Sequence, residues 1–201
     1  MIKRSSNYET EVLLNFVFSY INRNYNAIKI TKYGYVYFSQ GSTVTSGNSI
    51  VGLNFQGDIS VYGGIFYQNL LSSSLAFNRT QSTINRVNSG FIPTNMFRIT
   101  YFNVPIAYNS NPLTVKASFQ VVLASDSTKS YVVLNYTDCL AGAPLETYPG
   151  LLYLSQNGQQ SSAFLENPCG SSNVNLIGNW VFDVSNTFSK NIFLFKCLWL
   201  R

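Results

Sequence analysis

Thr114-Val115-Lys116-Ala117-Ser118-Phe119-Gln120-Val121-Val122-Leu123 and Tyr131-Val132-Val133-Leu134-Asn135-Tyr136 are the stretches whose reading decides the fold. Both are rich in β-branched and aromatic residues, which fit a pleated, packed surface better than a helix. The polar link Ala124 to Lys129 has the length of a hairpin connection. The pair therefore reads as two central core strands. Working outward, Ala27-Ile28-Lys29-Ile30-Thr31 alternates apolar and polar residues at the period of a half-buried strand. Lys32-Tyr33-Gly34 turns the chain, and Tyr35-Val36-Tyr37-Phe38 leads back as a second hairpin. Ser49 to Phe55, Gly64 to Tyr67, Met96 to Asn103, Gly150 to Leu154 and Trp180 to Val184 add short apolar runs of strand length. Gly41 to Asn48 reads as a loop, and residues 71 to 90, rich in Ser, Asn and Thr, read as an irregular surface stretch. No long segment carries a helical period. The expected fold is all-β: a single antiparallel β-sandwich-like domain with long polar loops.

Composition agrees. Of the 201 residues, 46% are apolar and only 10% charged, against roughly 25% charged in ordinary soluble domains. Asn, Ser, Thr, Tyr and Gly supply the polarity, which suits sheets and turns and suits long helices poorly. The net charge of +5 comes from Lys and Arg residues spread nearly singly along the chain. A nucleic-acid surface more often shows them clustered, so no nucleic-acid partner is expected.

Chemistry is scarce. The chain contains no histidine, which removes imidazole bases, Ser-His and Cys-His nucleophile pairs and His-ligated metals. Among the eight carboxylates no Ca²⁺-loop spacing appears. Asp126 and Asp138 read as turn residues that cap their own backbone rather than as a catalytic pair. No catalytic residue, cofactor, metal or small-molecule substrate is expected.

The three cysteines are Cys139, Cys169 and Cys197. Cys139 and Cys169 sit in turn-like contexts and form the disulfide candidate if the chain is secreted; two free thiols are the alternative. Asn78-Arg79-Thr80 and Asn135-Tyr136-Thr137 are glycan acceptor triplets under the same condition, although a chain this rich in Asn, Ser and Thr also produces them by chance. No signal peptide is visible in the chain, since Glu9 and Glu11 intrude on the first apolar run. The apolar tail Asn191 to Arg201 is too short to span a bilayer. It reads either as a last buried strand, as the start of a longer segment or as a mis-predicted exon end. The chain is expected to be a piece of a larger protein, with any membrane attachment lying in neighbouring segments.

Four pieces, in order, resemble the NIDO domain of nidogen, alpha-tectorin and mucin-4-type extracellular proteins. They are Ile28 to Phe38; Ile50 to Ile59 with Gly64 to Tyr67; Ser118 to Asp126 with Ser130 to Tyr136; and Ser172-Asn173-Val174 with Gly178 to Val184. The third is the closest, a Phe-Gln-apolar-apolar-Leu strand followed by a strand ending Asn-Tyr. Asn54-Phe55-Gln56-Gly57-Asp58 departs from the family's Pro-aromatic-Trp-Ala-Asp run, and nothing after Ser185 matches the pattern. The expected division is a lead-in over residues 1–15, a NIDO-like β domain over 16–185 and an atypical tail over 186–201.

The resemblance implies an extracellular module of cell–matrix adhesion within a multidomain protein, binding a matrix or cell-surface protein or a glycan. A carbohydrate-binding module or a viral-type β-sandwich is the alternative that the same composition permits. Tyr33, Tyr35 and Tyr37 are the candidate binding surface, unless alternate tyrosines simply cover the sheet. Trp180 with Phe182 reads as core packing before it reads as a sugar platform.

Overall fold

A computed structural model describes residues 9–40, 43–52, 63–105, 116–139, 150–156, 159–165 and 169–186. Four strands, β1 (Glu9–Tyr20), β2 (Arg23–Thr31), β3 (Tyr35–Gln40) and β4 (Thr43–Val51), form one antiparallel sheet in sequential order. The second sheet has the order β11-β8-β7-β6-β5, built from β5 (Gly64–Asn69), β6 (Asn95–Pro105), β7 (Lys116–Ser125), β8 (Ser130–Cys139) and β11 (Asn179–Asp183). A ribbon of β9 (Gly150–Gln156) and β10 (Gln159–Leu165) lies beside β4. The helix α1 (Leu75–Ile84) packs on the outer face of the five-stranded sheet. The architecture is the expected all-β sandwich with a helical third layer on one side.

Register shows why both faces of the larger sheet must be covered. Trp180, Leu134, Val121 and Ile99 form one cross-strand row, and Phe182, Val132, Leu123 and Phe97 the next; these point between the sheets. The intervening row Val181, Val133 and Val122 points outward, where Phe77 and Ile84 of α1, with Phe91 and Val174, close over it. In β7 every residue from Val121 to Ser125 is buried. That near-continuous burial is what an apolar run without alternation requires.

The inter-sheet core is aromatic and uses tyrosine hydroxyls as fasteners. Phe119 stacks on Tyr101 with centroids 4.5 Å apart, and Phe38 lies against Phe18 and Tyr20 at 5.5 and 4.4 Å. Tyr101 of β6 donates its hydroxyl to the Thr31 carbonyl at the end of β2 at 3.0 Å. Tyr136 of β8 donates to the Gly52 carbonyl just after β4. Each bond satisfies a buried polar group and links the two sheets. Gly52 has no room for a side chain, since a Cβ there would stand 2.6 Å from the Phe119 ring.

The β1–β2 turn ties the sheets at the other end. Ile21 and Asn22 both have positive φ, 50° and 58°, as a two-residue hairpin turn demands. Their N–H groups donate to the carbonyls of Val184 and Ser185 at 2.7 and 3.1 Å. A positive φ is costly for a β-branched residue. Burial of the Ile21 side chain and this strap hold it there.

Three segments differ from the sequence expectation. β1 starts at Glu9 and pairs with β2 from Glu9↔Thr31 onward, inside the stretch read as a lead-in. β4 begins at Thr43, within the Gly41 to Asn48 segment read as a loop; its polar half pairs through backbone, which needs no apolar pattern. Residues 71 to 90, read as irregular, contain α1. Ser74 caps it by accepting the Phe77 N–H at 3.2 Å, and Thr80 and Thr83 return their hydroxyls to the carbonyls four residues back. Only Phe77, Thr83 and Ile84 are buried, so the apolar stripe was too thin to show as a helical period.

If Phe119 is the keystone of the inter-sheet core, Phe119→Ala costs about 3–5 kcal/mol in denaturant unfolding. Leu71→Ala, at a position 72% exposed, changes stability by no more than about 0.5 kcal/mol. Similar small losses for both would contradict this packing.

Candidate binding surface

On the outer face of the four-stranded sheet, Val36 and Phe38 point inward and the alternate residues Tyr35 and Tyr37 point out. Their rings stack in parallel, centroids 5.8 Å apart and planes 7° from each other. The backbone N–H of Tyr35 donates to the Thr31 hydroxyl at 3.2 Å, fixing the start of β3. Tyr37 pairs across the strand with Lys29, which forms an ion pair with Glu9. Beside them Ser39 donates its hydroxyl to the Glu11 carboxylate at 3.2 Å. Partial burial raises the Tyr37 hydroxyl above its usual range, and the Glu9 charge adds to the rise while Lys29 opposes it. Tyr33 sits in the turn, 39% exposed, with the Lys32 ammonium 4.9 Å from its ring centroid. The structure thus brings Tyr35 and Tyr37 together as one aromatic strip and sets Tyr33 at its end on the turn.

A second concave surface lies where α1 stops short of covering the five-stranded sheet. Asn179, Asn135 and Gln120 form a cross-strand row of amides on the outer face of β11, β8 and β7. These amides floor a groove of about 530 Å³, walled by Leu75, Asn78, Arg79 and Arg86 of the helix side and by Leu176. Arg86 donates to the Val174 carbonyl at 3.3 Å, holding the loop before β11 against the helix. Among the described residues no carboxylate lines this groove. Neither the helix nor the amide row was legible as a site, because the residues meet only through the register of three strands.

The remaining candidates are dispersed. Asn78 is exposed on α1, whereas Asn135 is half-buried on β8 with its side-chain amide 3.5 Å from the Gln120 side-chain oxygen. Both nevertheless line the same groove. Cys169 is disulfide-bonded, and it lies close to the end of β8, since a Cβ on Gly178 would stand 2.6 Å from the Tyr136 carbonyl oxygen and 3.8 Å from that of Cys169. Cys139 is the last residue of β8; its side chain, the Asp58 segment and the tail with Cys197 lie outside the described residues. Trp180 and Phe182 are in the inter-sheet core. Asp126 opens the β7–β8 turn as expected, but Asp138 is a strand residue opposite Ser118, at the far end of β8. Eight strand residues separate them, so the two cannot share a substrate. Among the described residues no helix is long and apolar enough to cross a membrane.

The fold and these surfaces define a class: a β-sandwich module that offers a tyrosine face and a polar groove and brings no catalytic constellation together among the described residues. The family model of the nidogen-like domain matches residues 18–141, more than half of the chain. The chain belongs to the nidogen-like domain family, whose members are extracellular-type, non-catalytic modules of larger proteins. The match runs from β1 through β8. The Ser172 to Val184 piece lies beyond it and is placed by the structure as β11 and the loop leading into it. No curated protein and no solved structure matches the chain.

Asp126 gives a pH-dependent test of the β7–β8 turn. Burial alone would raise its carboxyl. The N–H groups of Lys129 and Thr128, the Thr128 hydroxyl and the Lys129 charge outweigh burial and hold it below the ordinary 3.8. A depressed folded-state value stabilises above the unfolded value, and that contribution disappears as pH falls through the folded one. The wild type is therefore more stable than Asp126→Asn at neutral pH, and the gap closes below about pH 4. Thermal melts at a series of pH values that kept the gap constant would remove the charge from this turn.

Proposed function

We propose that the chain is an extracellular binding module of cell–matrix adhesion, one unit of a larger multidomain protein, which takes a matrix or cell-surface protein on the outer face of its four-stranded sheet. The observation that carries this reading is the stacked Tyr35–Tyr37 strip beside the Lys29–Glu9 ion pair. Tyrosine offers large contact area and a hydrogen-bonding tip at little cost in side-chain entropy. The strip is already ordered by the hairpin, so docking immobilises few groups. An aromatic centre with a polar rim is the usual make-up of a protein-binding patch.

The test is surface binding of the chain to solubilised matrix proteins and to intact cells. Tyr35→Ala combined with Tyr37→Ala is expected to weaken binding at least tenfold, about 1.4 kcal/mol or more, with the melting temperature nearly unchanged. Full-strength binding by the double variant would reject this face, and absence of binding by the wild type would reject the adhesion reading. A glycan array run in parallel reads the alternative: selective sugar binding without protein binding identifies a carbohydrate-binding module.

The same reading assigns the partner of Cys169 as Cys139. The closeness of Cys169 to the end of β8 supports the pairing. A bridge closing a loop of roughly 30 residues contributes about 3–4 kcal/mol on the chain-entropy model. Peptide mapping under non-reducing conditions should recover Cys139 joined to Cys169. Recovery of Cys169 joined to Cys197 would refute the assignment.

A further inference from the structure

Asn78 and Asn135 begin the chain's two glycan acceptor triplets, and they lie on the wall and floor of one groove. Their environments differ. Asn78 is exposed, on the first turns of α1. Asn135 is half-buried in the cross-strand row between Asn179 and Gln120, and Thr137 of its triplet donates its hydroxyl to the Ser118 carbonyl at 3.2 Å.

The groove has the make-up of a sugar site. Its volume of about 530 Å³ falls in the ~300–1,000 Å³ range of sites that hold a small ligand. Gln120, Asn135 and Asn179 offer amide donors and acceptors, Arg79 and Arg86 add guanidinium donors, and among the described residues no carboxylate of the lining competes for them. Beside Asn78 stand two leucines that the fold leaves open: Leu75, one helical turn before it and 63% exposed, and Leu176, 40% exposed. A sugar ring has both a hydroxylated rim and an apolar face, and this combination of amides and leucines meets both.

We propose that Asn78 carries an N-linked glycan whose first sugars lie back into this groove, so that the glycan becomes part of the outer layer of the five-stranded sheet and leaves Asn135 unmodified. In the transfer, Asn78 Nδ2 forms a bond to C1 of the first N-acetylglucosamine of a polyprenyl-pyrophosphate-linked oligosaccharide. The bond from C1 to the pyrophosphate oxygen breaks, the polyprenyl pyrophosphate leaves, and one amide proton passes to the transferase's base. In the folded chain the Thr80 hydroxyl donates to the Ala76 carbonyl at 2.9 Å. Transfer therefore precedes closure of α1, while that hydroxyl is still free to be read. The sugar then covers Leu75 and Leu176 and hydrogen-bonds to the amide row. A chain that also carried a glycan on Asn135 would hold two sugars against one groove and could not close α1 over the sheet, so the form that folds is the one with Asn135 unmodified.

The proposal rests on the extracellular reading above but not on the tyrosine face, which lies on the other sheet. The test is made on the full chain directed through the secretory pathway of a glycosylating host. Mass mapping is expected to find a glycan on Asn78 and none on Asn135. The melting temperature is then compared for the intact glycoform, the form trimmed enzymatically to one N-acetylglucosamine, and Asn78→Gln. The intact and trimmed forms should melt about 2–4 °C above Asn78→Gln, the shift that a modest local stabilisation gives a chain of this size. Leu75→Ser should erase that gain in the glycosylated chain while leaving the melting temperature of the Asn78→Gln background unchanged. An unmodified Asn78, a glycan on Asn135, or a glycan that leaves the melting temperature indifferent to Leu75→Ser would each overturn the proposal. None of these outcomes bears on matrix binding by Tyr35 and Tyr37, so the two readings fail separately.

Discussion

The burial of β7 from both sides is the constraint on which the rest of the molecule depends. Phe119, Val121 and Leu123 face the four-stranded sheet, while Val122 and Ala124 face α1 and the loops around it. A strand apolar on both faces cannot lie at the surface of a two-layer sandwich without leaving one row of side chains in water. At about 25 cal/mol per Å² of apolar surface, leaving such a row uncovered costs several kcal/mol, a large share of a domain's net stability. The helix answers that requirement. It is short, polar on most of its surface, and anchored mainly by Phe77 and Ile84. Its sequence would not sustain a helix alone in water, so the sheet beneath it supplies the stability.

The two outward surfaces follow from this layering. In the four-stranded sheet Val36 and Phe38 of β3 fill the inner side, and the alternate residues Tyr35 and Tyr37 stack as the tyrosine strip on the other. On the outer side of the five-stranded sheet α1, with Phe91 and Val174, covers the Val181–Val133–Val122 row, and the neighbouring Asn179–Asn135–Gln120 row floors the groove. Both surfaces are therefore carried on hydrogen-bonded strands. Pre-ordering of this kind lowers the entropy lost on docking.

Much of the scaffold was legible in the sequence, because period-2 alternation and β-branched runs report on burial directly. The hairpins at Ile28 to Phe38 and Phe119 to Tyr136 are read correctly for that reason, and the family resemblance rests on the same strands. Tyrosine was the less legible residue. By composition it counts among the polar residues that face water, yet Tyr20, Tyr25 and Tyr101 are at most 1% exposed. Their buried environment is made possible by backbone carbonyls such as those of Ser49 and Thr31 that accept the hydroxyls, and no local pattern announces such distant acceptors. The helix escaped notice because its burial is confined to one side of a polar segment. The groove escaped because Gln120, Asn135 and Asn179 are far apart in sequence and meet only in the sheet. Tyr35 and Tyr37, two residues apart on one strand, are neighbours by the strand's own geometry, which is why that candidate could be named in advance.

Amide hydrogen exchange on the full chain, resolved strand by strand, tests the central claim most directly. With β7 buried on both faces and paired on both edges, the amides of Val121 to Leu123 should exchange only through global unfolding. Those of α1 and of the edge strand β5 should exchange faster, through local opening. Protection of β7 at the level of the whole-chain stability would establish the doubly covered sheet as the scaffold that holds both surfaces. Exchange in β7 as rapid as in α1 or β5 would contradict it.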